Sequence, residues 1–493
     1  MTGSHVVRKL ILIAGTATWL GLGPAWVAGA ADGPAQRPNI VFLLADQWRA
    51  KATGYAGDAN VRTPNLDRLA RQGLDFRNAV SVCPVCTPYR AALMTGRYPT
   101  STGMFLNDAY LPDSELCLAE ILKQAGYATA YIGKWHLDGH GRSAYIPPER
   151  RQGWDYWKTA ECDHNYNHSH YYTGNSSEQQ FWEGYDAFAQ TRDAQAYLRQ
   201  HARGGPPFVL LVSYGVPHFP HQTAPQQYKD LYPPDKIQLP PNVPAALLDR
   251  ARREAQGYYA HCTALDKCVG DVLATLAETG LEEHTILVFT SDHGEMLGSH
   301  GCPPLMKQVP WDEAARVPFL LRYPAAQRGA GRVIKTPLTT PDILPTLLGL
   351  AGVAIPPTVE GVDLSGLVRG EPDQAARAAL YMGVAPFAGG GFNREYRAVR
   401  TDRYTYVRSL QGPWLLFDDQ HDPHQLDDLV DKPEHAALRK DLDDRLEREL
   451  RKIGDDFRPA QHYIEIWGYE VGKHGSVPYT PNAKVQSPQR RPK

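Results

Sequence analysis

The chain has 493 residues, of which 42% are hydrophobic and 22% are charged, as in an ordinary globular protein. This composition excludes a chain that is mainly disordered, collagen-like or coiled-coil, and the length allows one large domain with an appendage or two to three domains. The 52 Lys and Arg residues nearly balance the 54 Asp and Glu residues, which gives a formal net charge of −2. A near-neutral protein has no global positive field for nucleic acid, so no nucleic-acid partner is expected, although a local basic pocket is compatible with this charge.

The N-terminal segment has the pattern of a secretory signal peptide. Arg8 and Lys9 precede an apolar run over residues 10–27, and small residues at 28–30 provide a cleavage site. An uncleaved membrane anchor is the alternative, but glycine and proline interrupt the run and leave it short for the ~20 residues that a spanning helix needs. We therefore predict that residues 1–30 are a signal peptide. The mature protein is expected to be exported, periplasmic or secreted, and not bound to a membrane.

Four apolar runs of strand length alternate with helical patterns along most of the chain. Such runs are typical of strands that are buried on both faces. The alternation predicts an α/β fold with a doubly wound, mostly parallel sheet flanked by helices. The runs cover residues 40–45, 128–132, 208–214 and 285–290, and the helical patterns cover residues 65–72, 116–125, 193–201 and 265–279.

Ionisable or metal-binding side chains follow each of these apolar runs. In a doubly wound sheet, ligands bind beyond the carboxyl ends of the strands, so these side chains are expected to converge there. They are Asp46 and Gln47 after the first run, Lys134 and His136 after the second, His218 after the third, and Asp292 and His293 after the fourth.

The pattern changes after about residue 371. Short strand-like runs and then a charged amphipathic helix at 433–452 predict a smaller α+β subdomain with an antiparallel sheet. The runs are at 396–399, 404–408 and 414–417. The predicted organisation is a catalytic α/β domain over residues 36–370, a C-terminal α+β subdomain over 371–470 and an extended tail over 471–493.

The chain has seven cysteines. An exported protein can form disulfides, but an odd number leaves at least one cysteine free, shared between chains or chemically altered. Buried thiols are the alternative for most of them, and the spacing of the first two also allows a redox or disulfide pair. The seven are Cys83, Cys86, Cys117, Cys162, Cys262, Cys268 and Cys302.

One segment carries a recognisable motif. Cys86-Thr87-Pro88-Tyr89-Arg90, followed by Thr95-Gly96, resembles the C-x-P-x-R signature of the sulfatase family. The chain therefore resembles a type I, formylglycine-dependent sulfatase of the alkaline-phosphatase-like superfamily, over roughly residues 37–430. The other elements of the family follow in the expected order, at Asp46, Lys134-Trp135-His136, Pro217-His218, Asp292-His293 and Lys307.

The resemblance implies a sulfuric ester hydrolase that uses one divalent cation and a modified cysteine. Cys86 would be oxidised to formylglycine (3-oxoalanine) by a formylglycine-generating enzyme, which is the expected partner during maturation. Oxygen ligands favour Ca²⁺, whereas the nitrogen of His293 leaves Mg²⁺, Mn²⁺ and Zn²⁺ open. The implied metal ligands are Asp46, Gln47, the hydroxyl derived from Cys86, Asp292 and His293, and the implied catalytic residues are Cys86, Arg90, Lys134, His136, His218 and Lys307.

Sulfuryl transfer develops negative charge in its transition state, so it needs positive charge that is already in place. A divalent cation together with Arg90, Lys134 and Lys307 provides such charge. Pro88 suits the first turn of a helix, which would put Cys86 at a helix N-terminus, where anions are favoured. The motif is therefore expected to bind an oxyanion.

A hydrated aldehyde explains why a cysteine would be modified. One of its two hydroxyl groups attacks sulfur, and the second expels sulfate as the aldehyde re-forms. We assign protonation of the leaving oxygen to His218, and the family resemblance implies His136 as the partner in sulfate release.

Three positions depart from the common pattern of the family. Many sulfatases have a second Asp where this chain has Gln47, Asn where it has His293, and Ser where it has Tyr89. Gln and His at the first two of these positions also occur in superfamily members that cleave phosphonate monoesters. Two rival hypotheses follow: a phosphonate monoester or phosphodiester hydrolase on the same fold, and an unmatured homologue that binds sulfated glycan without catalysis.

A segment rich in His and Tyr begins at Cys162. We hypothesise that His164, His168 and His170, with His221 nearby, form a substrate wall, because imidazole and aromatic side chains suit sugar rings. A second metal site and a solvated loop are the alternatives. The expected substrate is a sulfated carbohydrate or another sulfate ester, and the sequence indicates neither the sugar nor the oligomeric state.

Overall fold

The computed structural model of the chain describes residues 1–3, 37–374, 376–388 and 390–479. Apart from residues 1–3, the predicted signal peptide lies outside the described residues, as does the predicted tail beyond residue 479. Contacts divide the chain into Met1–Gln36 and Arg37–Lys493, and all the described helices and strands belong to the second unit. Within the described ranges, no helix is both long and apolar enough to cross a bilayer.

The described residues contain β-strands in three sheets. Ten strands form one large sheet, two form a small parallel pair, and four form a C-terminal sheet. The strands are β1 (Asn39–Asp46), β2 (Leu74–Phe76), β3 (Ala79–Val80), β4 (Ala128–Lys134), β5 (Tyr156–Ala160), β6 (His170–Thr173), β7 (Gln180–Phe181), β8 (Phe208–Pro217), β9 (Thr285–Ser291), β10 (Phe319–Arg322), β11 (Arg332–Ile334), β12 (Leu338–Thr339), β13 (Ala379–Gly383), β14 (Tyr396–Arg400), β15 (Tyr404–Ser409) and β16 (Gly412–Asp418).

Helices connect these strands and cover the large sheet. The α-helices of the described part are α1 (Pro64–Gln72), α2 (Cys86–Thr95), α3 (Pro99–Thr102), α4 (Leu118–Gln124), α5 (Asp186–His201), α6 (Gln226–Lys229), α7 (Leu248–Glu278), α8 (Asp312–Ala315), α9 (Ile343–Ala351), α10 (Ser365–Val368), α11 (Ala436–Ile453) and α12 (Ala460–Trp467).

The large sheet has the strand order β11-β2-β10-β9-β1-β8-β4-β5-β6-β7. Its centre, from β9 to β5, is parallel. Towards the two edges, β10 is antiparallel to both of its neighbours, and β6 is antiparallel to β5 and β7. The four apolar runs found in the sequence are the four neighbouring strands β9, β1, β8 and β4. The predicted doubly wound, mostly parallel fold is therefore confirmed.

Side chains of β1 alternate between two hydrophobic cores. Phe42 and Leu44 belong to a core that includes residues of α2, α4 and α9, whereas Val41 and Leu43 belong to a second core with residues of α5 and α7. All four side chains are fully buried. Because helices cover both faces of the sheet, the strand is apolar throughout rather than alternating.

Helix α7 begins at Leu248, well before the residue 265 predicted from the sequence, so the predicted start was wrong. Its N-terminal half buries polar side chains, among them Tyr258 and His261. Tyr258 donates a hydrogen bond to the backbone carbonyl of Gln47 at 3.1 Å. The buried positions 251, 255, 258 and 262 keep helical spacing, but they hold alanine, tyrosine and cysteine rather than large aliphatic residues, so the apolar pattern of this half is weak.

The C-terminal sheet is antiparallel, with the order β13-β14-β15-β16. The three predicted strands correspond to β14, β15 and β16, and β13 is an additional strand. Leu380 of β13 and Val399 of β14 belong to the same hydrophobic core as Phe42 of β1. The two sheets thus share a core, and a domain boundary at residue 370 stays a prediction.

A buried ion pair connects β14 to the segment between α11 and α12. Arg397 donates from Nε to Asp455 Oδ2 at 2.5 Å and from Nη2 to the hydroxyl of Tyr463 at 3.1 Å. The Tyr463 hydroxyl in turn donates to Asp455. Both charged side chains are 0% exposed. The attraction between them therefore offsets the free-energy cost of removing each charge from water.

We expect Arg397→Met to lower the free energy of unfolding by about 3–5 kcal/mol, because it leaves the carboxylate of Asp455 buried without its partner. The matched control is Lys440→Met, which removes the exposed ion pair with Asp444 on α11. The control should leave the unfolding midpoint unchanged. Urea unfolding followed by circular dichroism measures both, and equal midpoints for Arg397→Met and the wild-type protein would contradict this role.

Candidate active site

The ends of neighbouring strands bring the predicted site residues together. Asp46 is the last residue of β1, Lys134 is the last residue of β4, and Asp292 directly follows β9. His218 directly follows β8, and Cys86 is the first residue of α2. All five side chains are buried. This is the edge of a doubly wound sheet at which ligands bind.

Asp46, Cys86, Asp292 and His293 form a compact cluster of potential metal ligands. One ligand atom from each lies within 4.8 Å of the others. His293 Nδ1 lies 2.9 Å from the carbonyl oxygen of Gly294, which can only accept, so Nδ1 carries the proton. His293 Nε2 lies 3.3 Å from Cys86 Sγ and faces the cluster. Two carboxylates and an imidazole nitrogen are a donor set that fits a divalent cation.

Gln47 borders this cluster in a left-handed backbone conformation, with φ 68°. Its backbone N–H donates to Asp292 Oδ1 at 3.0 Å, and its side-chain Oε1 accepts from Lys307 Nζ at 3.1 Å. Its Nε2 donates to the buried carboxylate of Glu295, which fixes the orientation of the amide. Glu295 is thus a supporting residue whose role could not be predicted from the sequence, although it stands three residues after Asp292 in the same motif.

Arg90 connects the two acidic residues of the cluster. Its Nη2 donates to Asp292 Oδ2 at 3.0 Å and to Asp46 Oδ2 at 3.2 Å. Its Nη1 donates to Ser213 Oγ at 2.7 Å and to the carbonyl oxygen of Lys134 at 3.0 Å. Burial disfavours the charge of Arg90, yet Asp292 and Asp46 hold the pKa of its guanidinium above the ordinary value. Arg90 is therefore a permanent positive charge beneath the site.

Two lysines flank Cys86. Lys134 Nζ lies 2.6 Å from Asp46 Oδ2 and 3.8 Å from Cys86 Sγ, and Lys307 Nζ lies 3.6 Å from the same sulfur. Burial and the charge of Asp46 oppose ionisation of the Cys86 thiol, but Lys134, Lys307 and His293 bring its pKa well below the ordinary value. The side chain at residue 86 thus occupies a place where negative charge is stabilised.

His218 interacts with Lys307. Its Nδ1 lies 2.7 Å from the carbonyl oxygen of Phe219 and therefore carries a proton, while its Nε2 lies 2.9 Å from Lys307 Nζ and accepts a hydrogen bond. Burial and the charge of Lys307 hold the pKa of His218 well below its ordinary value. With a proton on Nδ1 and Nε2 as an acceptor, His218 is neutral in this arrangement.

His136 lies just beyond β4 in a left-handed conformation, with φ 62°. Its Nε2 lies 2.8 Å from Asp108 Oδ1, and its Nδ1 is buried without a hydrogen-bond partner among the described residues. The backbone N–H groups of Leu137 and Gly139 donate to the buried carboxylate of Glu161, at 3.2 and 3.0 Å. The sequence indicated neither Asp108 nor Glu161. The one signal for Glu161 is its position directly after β5.

Two family profiles match the chain. The Sulfatase profile matches residues 38–353, and the profile described as N-sulphoglucosamine sulphohydrolase, C-terminal matches residues 298–452. The chain belongs to the sulfatase family. Members of this family are sulfuric ester hydrolases, so the expected enzyme class is confirmed.

Other sulfatases resemble this chain over most of its length. The Ulvan-active sulfatase of Formosa agariphila is 52% identical over 457 residues, which cover 92% of this chain and 89% of that protein. The Endo-4-O-sulfatase of Bacteroides thetaiotaomicron is 30% identical, with 80% of this chain and 88% of that protein covered. The crystal structure of the putative sulfatase yidJ from Bacteroides fragilis superimposes on this chain with a TM-score of 0.77 and 30% sequence identity. The superposition covers 88% of this chain and 100% of that chain.

The histidines of the hypothesised substrate wall occupy different places in this sulfatase. His164 is half-buried and stacks on His218, with ring centroids 4.4 Å apart. His168 is exposed and stacks on Phe181, with ring centroids 4.3 Å apart. The fold therefore brings His164 to a predicted catalytic residue, whereas His168 packs on an edge strand.

The other two histidines are buried and paired with carboxylates. His170 Nδ1 lies 2.6 Å from Asp163 Oδ2, and His221 Nδ1 lies 2.9 Å from Glu254 Oε2. Asp163 and Glu254 lie outside the set of residues predicted for the site. The density of histidines in the sequence thus reflects several separate local contacts as well as one contact at the site.

All seven cysteines lie in the described residues, and each is a buried thiol that forms no disulfide. Cys83 and Cys86 are therefore not bonded to each other, and the spacing between them does not make a redox pair in this structure. Cys86 is the cysteine that belongs to the cluster of potential metal ligands.

Proposed function

We propose that this sulfatase hydrolyses sulfate monoesters of a carbohydrate through a formylglycine at residue 86 and a divalent cation. The observation that carries the proposal is the surroundings of Cys86 at the start of a buried helix. Its Sγ lies within 3.9 Å of side-chain atoms of Asp46, His293, Lys134 and Lys307. Two potential metal ligands and two ammonium groups thus meet at one side chain, as attack on an anionic sulfate requires.

A sulfated carbohydrate is proposed as the substrate because relatives of this chain include an Ulvan-active sulfatase and an Endo-4-O-sulfatase. His164, stacked on His218, is the residue of the hypothesised wall whose position supports contact with a sugar ring. Export, to the periplasm or beyond, is proposed from the signal-peptide pattern of residues 1–30. Maturation by a formylglycine-generating enzyme is proposed from the motif around Cys86.

Asp46, Gln47, Asp292 and His293, with an oxygen of the modified residue 86, would hold the cation. A bound divalent cation polarises a sulfate oxygen and lowers the pKa of a hydroxyl that it coordinates. The carboxylate and amide oxygens make Ca²⁺ the first choice, and the imidazole of His293 is also compatible with Mg²⁺, Mn²⁺ or Zn²⁺.

The first half-reaction transfers the sulfuryl group to residue 86. A formylglycine hydrate at residue 86 would supply the nucleophile: one hydroxyl, after losing its proton to solvent water, would attack sulfur, and the bond between sulfur and the ester oxygen would break. The Lys307–His218 pair, joined at 2.9 Å, protonates the leaving oxygen. Lys134 and Arg90 supply fixed positive charge for the transition state.

The second half-reaction releases sulfate. The remaining hydroxyl of such a hydrate would pass its proton to Nδ1 of neutral His136, the carbon–oxygen double bond would re-form, and the bond between that carbon and the sulfate oxygen would break. Water would then rehydrate the aldehyde. A plain cysteine has no second hydroxyl, so it could not release sulfate in this way.

We expect Cys86→Ala to lower kcat/KM for a sulfate ester by about 10⁴-fold or more, because the variant lacks the nucleophile. Cys83→Ala is the matched control, since it removes a buried thiol of the same segment and should keep near-wild-type activity. Mass spectrometry of the peptide that carries residue 86 should find an aldehyde in the active enzyme. An intact thiol in fully active enzyme would contradict the proposed nucleophile and would favour a different use of the site.

Removing a metal ligand is expected to remove metal and activity together. Asp292→Ala should release the cation from the purified protein and abolish turnover, because one of the two carboxylates of the cluster is lost. Asp266→Asn is the control. It changes a buried carboxylate on α7 that accepts a hydrogen bond from the backbone N–H of Leu66 at 2.8 Å. Asp266 is not one of the proposed ligands, so this variant should keep its metal. Elemental analysis measures both variants, and an active Asp292→Ala protein without metal would overturn the assignment.

Gln47 and His293 favour one second candidate, a phosphonate monoester or phosphodiester hydrolase on the same fold. His293 belongs to the cluster and Gln47 borders it, and these two residue types resemble those of phosphonate-cleaving members of the superfamily. We expect kcat/KM for para-nitrophenyl sulfate to exceed that for a phosphonate monoester with the same leaving group. A higher efficiency with the phosphonate would replace the sulfatase proposal by this candidate.

A further inference from the structure

Residues 469–479 of the C-terminal segment contact the loop between α3 and α4. This loop also contacts the start of α2. Tyr469 donates from its hydroxyl to the carbonyl oxygen of Gly103 at 2.9 Å, and the backbone N–H of Val477 donates to the carbonyl oxygen of Asn107 at 3.0 Å. The hydroxyl of Tyr479 then donates to Asp108 Oδ1 at 2.8 Å. Part of the predicted extended tail is therefore attached beside the candidate active site.

Asp108 joins this segment to His136. The same carboxylate oxygen, Oδ1, lies 2.8 Å from His136 Nε2. Asp108 is 7% exposed and His136 is 2% exposed, so solvent replaces this contact poorly. Asp108 forms no other ion pair among the residues that the structure describes, and Tyr479 is the second side chain that donates to it.

The backbone holds Asp108 and His136 in place independently of their side chains. Thr87 Oγ1 donates to the carbonyl oxygen of His136 at 3.1 Å and accepts from the backbone N–H of Asp108 at 3.2 Å. Both residues have left-handed backbone conformations, with φ 63° for Asp108 and 62° for His136. Non-glycine residues persist in this region only where the surrounding structure imposes it, and such residues cluster at active sites.

This arrangement sets the tautomer of His136. A carboxylate accepts and does not donate, so Nε2 carries the hydrogen that points to Asp108, and the lone pair of neutral imidazole is then on Nδ1. Nδ1 is buried and has no hydrogen-bond partner among the described residues. In the neutral ring, this unpartnered nitrogen is thus the one able to accept a proton.

We propose that Asp108 and Tyr479 are positioning residues of the active site: Asp108 fixes the Nε2–H tautomer of His136 so that Nδ1 accepts the proton of the residue 86 hydroxyl during sulfate release, and Tyr479 holds Asp108. The proton moves from that hydroxyl to Nδ1, and the electrons of the O–H bond form the carbonyl as sulfate leaves with its bonding pair. This inference rests on the proposed function. It adds that the C-terminal tail contributes to the catalytic site.

A double-mutant cycle separates positioning from a structural role. We expect Asp108→Asn to lower kcat by about 10²-fold with little change in KM, because asparagine keeps the shape and tolerates the left-handed conformation but does not favour the required tautomer. Tyr479→Phe should lower kcat by about tenfold through the loss of one charge-assisted hydrogen bond. In a His136→Ala background, neither change should lower kcat further, since both act through the imidazole.

A second readout reports the step that is impaired. When sulfate release is slow, the sulfated form of residue 86 should accumulate during turnover of Asp108→Asn, and mass spectrometry of acid-quenched protein detects it. The matched control is Asp113→Asn, which removes a carboxylate that accepts from the Tyr110 hydroxyl in the same region but contacts no residue of the site. The control should turn over like the wild-type enzyme and accumulate no adduct.

The outcomes distinguish failure of this inference from failure of the proposed function. If the wild-type enzyme hydrolyses sulfate esters and Cys86→Ala does not, but the losses from Asp108→Asn and His136→Ala multiply, the positioning role is overturned alone. Absence of the sulfated adduct in Asp108→Asn would also overturn it. If the wild-type enzyme fails to hydrolyse sulfate esters, both proposals fall. Should Asp108→Asn not fold, the same cycle with Tyr479→Phe decides the question.

Discussion

One buried positive charge, the guanidinium of Arg90, allows the rest of the site to exist. Asp46 and Asp292 lie at the ends of adjacent strands, where two carboxylates in an interior of low dielectric would otherwise repel each other. Arg90 contacts both carboxylates with one nitrogen, and with the other it contacts the Lys134 carbonyl and Ser213. A single side chain of α2 thereby connects the ends of the four central strands β9, β1, β8 and β4.

This connection explains the spacing of the motif. Cys86 and Arg90 are four residues apart on α2, so their side chains project from the same face of the helix. The face that presents residue 86 to the potential metal ligands is therefore the face that holds the charge between the acidic pair. The contacts that fix the helix against the strand ends therefore also orient the side chain of residue 86.

The central strands could be predicted because each is apolar over its whole length. That pattern arises from burial on both faces, and it placed the polar residues that follow each strand at one edge of the sheet. Short strands at the periphery, such as β7 and β11, have two or three residues and exposed positions, so they leave no comparable pattern. Helix α7 was found only in part, since the buried positions of its first half hold residues such as Ala251 and Tyr258, which give a weaker apolar pattern than the leucines and valines of its second half.

Within the site, residues next to a strand end or inside the motif could be predicted, and those held by long-range contacts could not. Lys134 ends β4 and His218 directly follows β8, whereas Asp108 lies in a loop without a pattern of its own. The role of Glu161 likewise depends on three-dimensional contacts with a backbone turn beyond β4. The composition of the histidine-rich segment suggested that its histidines share one surface. Composition alone does not reveal that His168 stacks on the exposed Phe181.

The contact between Asp108 and Tyr479 joins positions that are 371 residues apart in the chain. The loop with Asp108 leaves the ribosome long before Tyr479 does. The surroundings of His136 are therefore complete only after Tyr479 has been synthesised, and a shorter nascent polypeptide has an unfinished site even where its large sheet has formed. Proteolytic removal of the chain from Tyr479 onwards would likewise alter the candidate active site while leaving the hydrophobic cores intact.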